Sequence, residues 1–583
     1  MQGINYITIF KEGIVEKYTK IFICCAFKFI QINIVYIIGR CIIEVIFTIN
    51  GGKMMKKITR LISLTLIILI LCGTVAYAEQ GNNQAVSGDM YVPVKFICET
   101  MGGQVSWDTK KQITTVKVGN NELKLFINRC NIILNGKSKV LKEKVKVEEG
   151  RTILSLSVLN SQLGLKLTCD DYIKLISAKF VDLVKAGKTA DSSNLLSKSF
   201  SKHVTTEFLK FILVPVFSVV EPDVKTMTIS KNTVHQNVFI PFTVQQAKYN
   251  FILRFDYSGK IDEFNQAADS SQFTYSKPSY DNSVNYTERE VTIGEGEWKL
   301  PGTLTMPKGK GPFPALILVH GSGSNDRDET LGPLKPFRDL AVGLASQGVA
   351  VLRYEKRTLE YGVRIQLLPK LTMTEEFEED AFAAAKYLKT IHGIDTSNIT
   401  VLGHSEGGYD LPRILCRDKT GTFKAGIIMS GCSRPLYELL PEQYKYLAGL
   451  GMATDEQAEA MKAQVALIQD KSFDPASPPE GYSLGMPYYF NDMKNYDVIR
   501  TARQIDKPIL VLQGERDYQV SPKTDYEGWK KAFEGKSNAE FKLYPKLNHM
   551  YMEGEGQSTP AEYYVNGNIP QYVINDIAGF IKK

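Results

Sequence analysis

The 583-residue chain is poor in the residues that build metal and disulfide frameworks, with six histidines and nine cysteines. No C-x-x-C pair and no H-E-x-x-H occur, and no His/Asp cluster has ligand spacing. A resident metal is therefore not indicated, and no organic cofactor is implied. Cys24, Cys25, Cys41 and Cys72 lie in the first 78 residues, which leaves Cys98, Cys130, Cys169, Cys416 and Cys432. An odd five without paired spacing speaks for small buried residues rather than a disulfide scaffold. A basic surplus is also missing from the body of the chain. The net charge is +7, but residues 1–78 hold nine Lys/Arg against three Asp/Glu. The remainder is close to neutral, so nothing there would draw in nucleic acid by neutralising phosphates. Long apolar runs are missing too. No uncharged stretch in residues 1–53 reaches the ~18 residues of a spanning helix, so no transmembrane span is expected in the mature chain. What is present is ordinary for a globular protein: 44% hydrophobic and 23% charged residues. Disorder and collagen-like repetition are excluded, and the length suggests about three or four domains.

The positive charge belongs to a leader. Met54-Met55-Lys56-Lys57 precedes an apolar run, Leu61 to Leu71, that closes on Ala76-Tyr77-Ala78. This is the pattern of a secretory signal peptide at 54–78, cleaved after Ala78. Cys72 would suit a lipoprotein box, but Leu71 before it is bulky. Residues 1–53 read as an upstream extension, with translation starting at Met54 or Met55. The expected location is secreted or at the surface of a Gram-positive-like cell.

An ungapped repeat opens the mature chain. Residues 90–108, MYVPVKFICETMGGQVSWD, align with 152–170, TILSLSVLNSQLGLKLTCD. Each predicts a strand, a helical turn, a glycine (Gly102, Gly164), a second strand and an Asp. Alternating strands and a turn at Asn135-Gly136-Lys137 lie between the copies. Residues 89–170 resemble the stalk domain related to the N-terminal domain of copper amine oxidases, a surface module of Gram-positive bacteria. The resemblance implies association with the cell wall as a possible partner, and no catalytic or copper-binding residues.

From 171 to 268 a helical period at Ile173, Ile176, Phe180 and Leu183 is followed by strands at 238–244, 249–255 and 260–264, an α+β arrangement. This stretch looks like a cone-shaped, nuclear-transport-factor-like domain found before secreted hydrolases. His203 and His235 have no nearby acidic or cysteine partner along the chain and read as ordinary surface or packing residues. Residues 269–287 read as a linker. After it, apolar strands at 315–319, 349–353, 399–402, 425–429, 509–512 and 540–543 alternate with helical faces. A parallel sheet covered on both sides, and hence an α/β class, is expected for 288–583. Thr372 and Glu375 fit a capping box at one helix start.

The chemistry concentrates at Gly403-His404-Ser405-Glu406-Gly407-Gly408, a G-x-S-x-G between a strand and a plausible helix. A serine at such a turn has a strained backbone and an exposed hydroxyl, which suits a nucleophile. It needs a base. His404 adjoins the serine and should point elsewhere, His392 ends a helix, and His320 opens the first loop. His549, in the loop after the last strand, is the candidate base. The imidazole needs a carboxylate to hold its tautomer. Asp517 follows a tight turn at the end of strand 509–512, and Glu515 is its rival as a solvated turn residue. The order Ser405, Asp517, His549 is the one expected for this architecture. The oxyanion needs two backbone N–H donors, which should be Glu406, just after the nucleophile, and Ser322 in His320-Gly321-Ser322-Gly323.

These segments, with Arg516-Asp-Tyr-Gln-Val520 and Leu547-Asn-His549, resemble secreted bacterial serine esterases of the α/β-hydrolase superfamily, near its dienelactone-hydrolase and acyl-thioesterase branches. The resemblance implies an α/β-hydrolase fold with a mostly parallel sheet and a helical lid. It also implies a serine carboxylesterase acting on small ester substrates. Tyr354-Glu355-Lys356-Arg357 stands where the family usually reads Y-D-K-R. Pro412 in the helix after Ser405 is tolerated there, and a kink is expected. An insertion at about 434–500 is expected to form the lid, with Met452, Met461, Tyr488, Tyr489 and Phe490 either lining the pocket or packing the lid. A peptidase or thioesterase on this fold, and a catalytically silent wall-associated module, are the alternatives.

Overall fold

The computed structural model describes residues 89–583 apart from Gln245. The expected leader and upstream extension lie outside the described residues. Two compact units separate near residue 267.

The first unit holds three antiparallel sheets. The two repeat copies meet directly, because Tyr91–Pro93 pairs antiparallel with Ile153–Ser155. Each copy has its helix, Val94–Thr100 and Leu156–Leu163. Gly102 and Gly164 follow at φ 75° and 70°, the left-handed position that ends a helix at low steric cost only for glycine. The copies then diverge. The first continues into a strand, Gln104–Asp108. The second does not, since Thr168 and Asp171 form a capping box that starts the helix Cys169–Lys185. Capping chemistry there overrides the strand that the repeat predicts. Asn135 and Gly136, at φ 50° and 79°, make the hairpin turn that joins Asn131–Leu134 to Lys137–Val140. A four-stranded sheet, Thr228–Lys231, Gln236–Val244, Ala247–Phe255 and Ile261–Ala268, follows in simple sequence order. His235 is not the partnerless residue its neighbours in sequence suggest. It is buried, and its Nε2 lies 3.1 Å from Asp262 Oδ2, an acid that only the fold brings near.

The second unit is built on one eight-stranded sheet. Its strands are β1 (Tyr286–Ile293), β2 (Leu300–Pro307), β3 (Phe313–Val319), β4 (Ala350–Tyr354), β5 (Ile394–His404), β6 (Ala425–Met429), β7 (Ile509–Gly514) and β8 (Ala539–Tyr544). Their order is 1-2-4-3-5-6-7-8. Strands β3 to β8 run parallel, while β1 and β2 are antiparallel additions. The central strands are largely apolar and buried, completely so at 315–319, 425–429 and 509–512, as a sheet covered on both faces requires. Helices Pro336–Ala345 and Gln571–Ile581 cover one face through Phe337, Leu340 and Ile574. Helices Glu379–Leu388 and Glu406–Arg417 cover the other through Ala381, Leu388, Leu411 and Ile414.

The segment read as a linker is pinned to this unit. Tyr275 Oη donates to Asp339 at 2.6 Å, and Tyr280 Oη donates to the Ile569 carbonyl at 2.6 Å. Its serines and asparagines suggest a loose chain, but the two tyrosines decide otherwise. The insertion between β6 and β7 contains helices Leu436–Gly449, Asp455–Gln469 and Pro487–Lys494. Among the described residues, no helix is long and apolar enough to cross a membrane.

Candidate active site

Strand β5 ends in Gly403-His404, and Ser405 follows at φ 54°, ψ −117°. A non-glycine residue at such an angle is strained and persists only where its surroundings hold it. They do so here from both sides. Ser405 N–H donates to the Met429 carbonyl at 2.9 Å, and the Ser405 carbonyl accepts from Gly408 and Tyr409 N–H. The glycines are steric necessities. A Cβ on Gly403 would lie 2.2 Å from the Gly407 carbonyl oxygen, and one on Gly407 would lie 2.5 Å from the His320 carbonyl oxygen. The helix Glu406–Arg417 starts immediately after the serine and runs through Pro412.

Strand β7 delivers the carboxylate. A Cβ on Gly514 would lie 2.3 Å from the Leu547 carbonyl oxygen. The missing side chain therefore lets the end of β7 lie against the loop after β8. Arg516 N–H donates to the Leu547 carbonyl at 3.0 Å. Asp517 sits at this junction, buried, with four donors. Oδ1 accepts from Gln519 and Val520 N–H, both at 2.9 Å. Oδ2 accepts from Gln513 Nε2 at 3.0 Å and lies 2.7 Å from His549 Nδ1. A fully paired carboxylate presents only acceptors, so Nδ1 carries the proton and Nε2 is left with its lone pair. Glu515 is exposed and takes no part. The His549 loop is built by Asn548, whose Oδ1 accepts from Met550 and Met552 N–H at 3.1 Å each.

The Ser405 turn and the His549 loop touch through His404. Its ring centroid lies 4.8 Å from that of His549, and its Nε2 is 3.1 Å from the His549 carbonyl oxygen. Its Nδ1 is 2.9 Å from Glu329 Oε2. Burial alone would lower the His404 pKa. The Glu329 carboxylate and the His549 carbonyl more than offset this and raise it above its ordinary value. Burial likewise opposes ionisation of Glu329, but the His404 imidazole brings that carboxyl below its usual range. Each group therefore favours the charged form of the other. The His404 ring is engaged by Glu329 and by the His549 carbonyl. Nothing local predicts Glu329, 75 residues earlier.

The loop after β3 brings Gly321 against Ser405, where a Cβ on it would lie 3.0 Å from Ser405 Cβ. Among the described residues no acceptor takes the N–H of Ser322 or of Glu406. The Glu406 N–H lies at a helix start, where a developing anion is favoured. The Glu406 side chain is buried and accepts from Tyr489 Oη at 3.0 Å. Burial, reinforced by the neighbouring Glu376, holds that carboxyl above its ordinary pKa. Tyr489 of the insertion therefore reaches the residue after Ser405. Phe490 packs beside it against the core, 6.4 Å from Tyr437, and Tyr488 lies under Lys370 Nζ. Met452 and Met461 are half-buried. The insertion is anchored beside the carboxylate loop as well, where Tyr446 stacks on Tyr518 at 4.7 Å and Gln443 Nε2 donates to the Gln519 carbonyl. Thr372 and Glu375 form half a capping box. Glu375 accepts from Thr372 N–H at 2.8 Å, while the Thr372 hydroxyl serves Glu375 and Thr374 rather than the third helical N–H. Among the described residues no group of three or more His, Cys, Asp or Glu is placed to hold a metal ion.

His320 supplies a stability prediction. Burial pushes its imidazole down to about 4, so the folded protein keeps it neutral. The unfolded chain takes up that proton near pH 6.5, so this contribution is complete above pH 6.5 and is lost as the pH falls towards 4. At about 1.4 kcal/mol per pH unit, roughly 3 kcal/mol disappears by pH 4. The unfolding midpoint of the wild type should therefore drop further between pH 7 and pH 4.5 than that of His320→Asn. Equal drops would refute the assignment.

Comparisons with known proteins agree with this architecture. Residues 75–177 match the copper amine oxidase N-terminal domain, and residues 341–468 match the prolyl oligopeptidase family. Esterase EstD of Thermotoga maritima is 39% identical over 352 residues, covering 58% of this chain and 79% of that protein. Among solved structures, the Pyrococcus furiosus esterase PF2001 is 18% identical and covers 53% of this chain and 97% of its own, with a TM-score of 0.32. Est1E from Butyrivibrio proteoclasticus is 19% identical and covers 50% and 97%, with a TM-score of 0.32.

Proposed function

This chain belongs to the esterases of the α/β-hydrolase family, and we propose that it cleaves carboxylic esters through an acyl-enzyme on Ser405, with His549 as base and Asp517 as its carboxylate partner. The Ser405 hydroxyl attacks the ester carbonyl carbon while its proton passes to His549 Nε2. The anionic oxygen is received by the Ser322 and Glu406 N–H groups. Collapse expels the alcohol, which takes the proton from His549. Water, deprotonated by the same imidazole, then releases the acid and restores the serine. The observation that carries this reading is the 2.7 Å contact between His549 Nδ1 and Asp517. It leaves Nε2 free to accept, on a loop that the residue preceding Ser405 touches.

A small ester is the proposed substrate. The match of residues 341–468 to the prolyl oligopeptidase family favours a second reading, a peptidase. Thioesters would use the same steps. We propose further that the protein is exported by the leader at 54–78 and that the copper-amine-oxidase-like domain holds it at the cell wall. The purified protein should hydrolyse short p-nitrophenyl esters at least about 100-fold more efficiently in kcat/KM than aminoacyl p-nitroanilides. A fluorophosphonate should add one equivalent of mass, at Ser405. Preference for the anilides would select the peptidase, and labelling elsewhere would remove the mechanism.

A further inference from the structure

The Tyr354-Glu355-Lys356-Arg357 segment has no part in the chemistry above, yet all three of its charged side chains are buried. Glu355 pairs with Arg327 at 2.6 Å, and Arg357 pairs with Asp380 and Glu379. Lys356 is different because it meets the backbone of the loop after β3. Its side chain is 1% exposed. Its Nζ donates to the Gly321 carbonyl at 2.7 Å and lies 2.5 Å from Glu376 Oε1. Asn325 Nδ2 donates to the same carbonyl at 3.1 Å. On the other side of Gly321, its N–H donates to Glu329 Oε1 at 2.7 Å, and Glu329 is held by His404.

The Gly321 carbonyl and the Ser322 N–H belong to one peptide unit. That unit is planar and trans, so the two groups point in opposite directions. A cation and an amide that hold the carbonyl therefore also aim the N–H. The N–H they aim is the one without an acceptor among the described residues, on the loop whose glycine lies against Ser405. We infer that Lys356, assisted by Asn325, is a positioning residue for oxyanion binding that fixes the 321–322 peptide so that Ser322 N–H faces the reacting carbonyl oxygen. This inference rests on the Ser405 reading above. A lysine suits the task. Its Nζ sits over the Phe377 ring, 4.3 Å from the centroid, and its three donors serve the carbonyl and Glu376 together. Preorganising such a donor matters because the transition state gains only from dipoles that need not turn at the moment of reaction.

Removing an oxyanion donor outright costs about 100- to 1,000-fold in kcat; loosening its mount should cost about 10- to 100-fold. The variants are Lys356→Met paired with Glu376→Gln, so that no unpaired buried carboxylate remains, and Asn325→Ala. Each is assayed with a p-nitrophenyl ester and with the matching thionoester, whose sulfur accepts hydrogen bonds poorly. The expected result is a fall in kcat with KM within about twofold and a smaller preference for the ester over the thionoester. The effect should be largest in the double variant and a few-fold in Asn325→Ala. A merely structural role would lower the unfolding midpoint and leave kcat and the ester preference as they are, and that outcome overturns the inference. Should the double variant not fold, Asn325→Ala decides alone, and an unchanged kcat and preference there overturns it too. Retained activity in Ser405→Ala would instead sink the serine reading itself. A dead Ser405→Ala beside unaffected Lys356 and Asn325 variants would sink only this inference.

Discussion

Ser405→Ala is expected to lower kcat towards a short p-nitrophenyl ester by roughly 10⁴- to 10⁶-fold, with the unfolding midpoint nearly unchanged. The two halves of this expectation have separate causes. Among the described residues the Ser405 hydroxyl makes no hydrogen bond, whereas its backbone holds the turn through Met429, Gly408 and Tyr409. Alanine keeps that backbone, including the positive φ, so the strain and the hydrogen bonds that offset it are the same in both proteins. What disappears is the nucleophile. The donors at 322 and 406 remain, so residual hydrolysis above the rate in water should persist by direct attack of water. Steady-state kinetics on freshly purified protein, with active sites counted by fluorophosphonate, checks this. Activity within tenfold of the wild type would place the chemistry elsewhere.

Asp517→Asn is the second large effect, about 10⁴-fold in kcat, and here the hydrogen bonds decide how it arises. Oδ1 takes two backbone N–H groups, from Gln519 and Val520, which cannot be rearranged without breaking the turn. An asparagine must therefore keep its oxygen on that side. Its NH₂ then faces His549 Nδ1, and a donor facing a donor is not tolerated at 2.7 Å. The imidazole answers by carrying its proton on Nε2, where it can no longer accept one from the serine. The fold should survive, because the side chain keeps its shape and both backbone donors. Kinetics beside thermal unfolding separates this from collapse of the loop, in which the midpoint would fall along with kcat. A variant with near wild-type kcat would mean that Asp517 does not set the tautomer.

The sequence made the parallel part of the hydrolase sheet legible, because strands buried on both faces are apolar along their whole length. It was less informative about β1 and β2. Tyr286–Ile293 alternates with an exposed face, and Leu300–Pro307 is bounded by prolines and glycine, so neither stands out from the loops around it. The three polar residues proposed for the chemistry were legible from what precedes them: a strand end, a tight turn or a loop after the last strand. Their supports were not. Glu329, Gln513, Asn548 and Lys356 are ordinary polar residues in sequence. They acquire meaning only from the group each one touches.

By itself, then, the order of residues determined the alternation of strands and helices, the glycines that let Ser405 turn, and the chain order of serine, acid and histidine. These are local matters, dictated by burial period and by the space around a backbone. Tertiary structure alone decided that Glu329 lies against His404, that the segment read as a linker is strapped down by two tyrosines, and that Lys356 holds the Gly321 carbonyl. Each joins residues distant along the chain, and a buried charge finds its partner only once the packing that excludes water has formed.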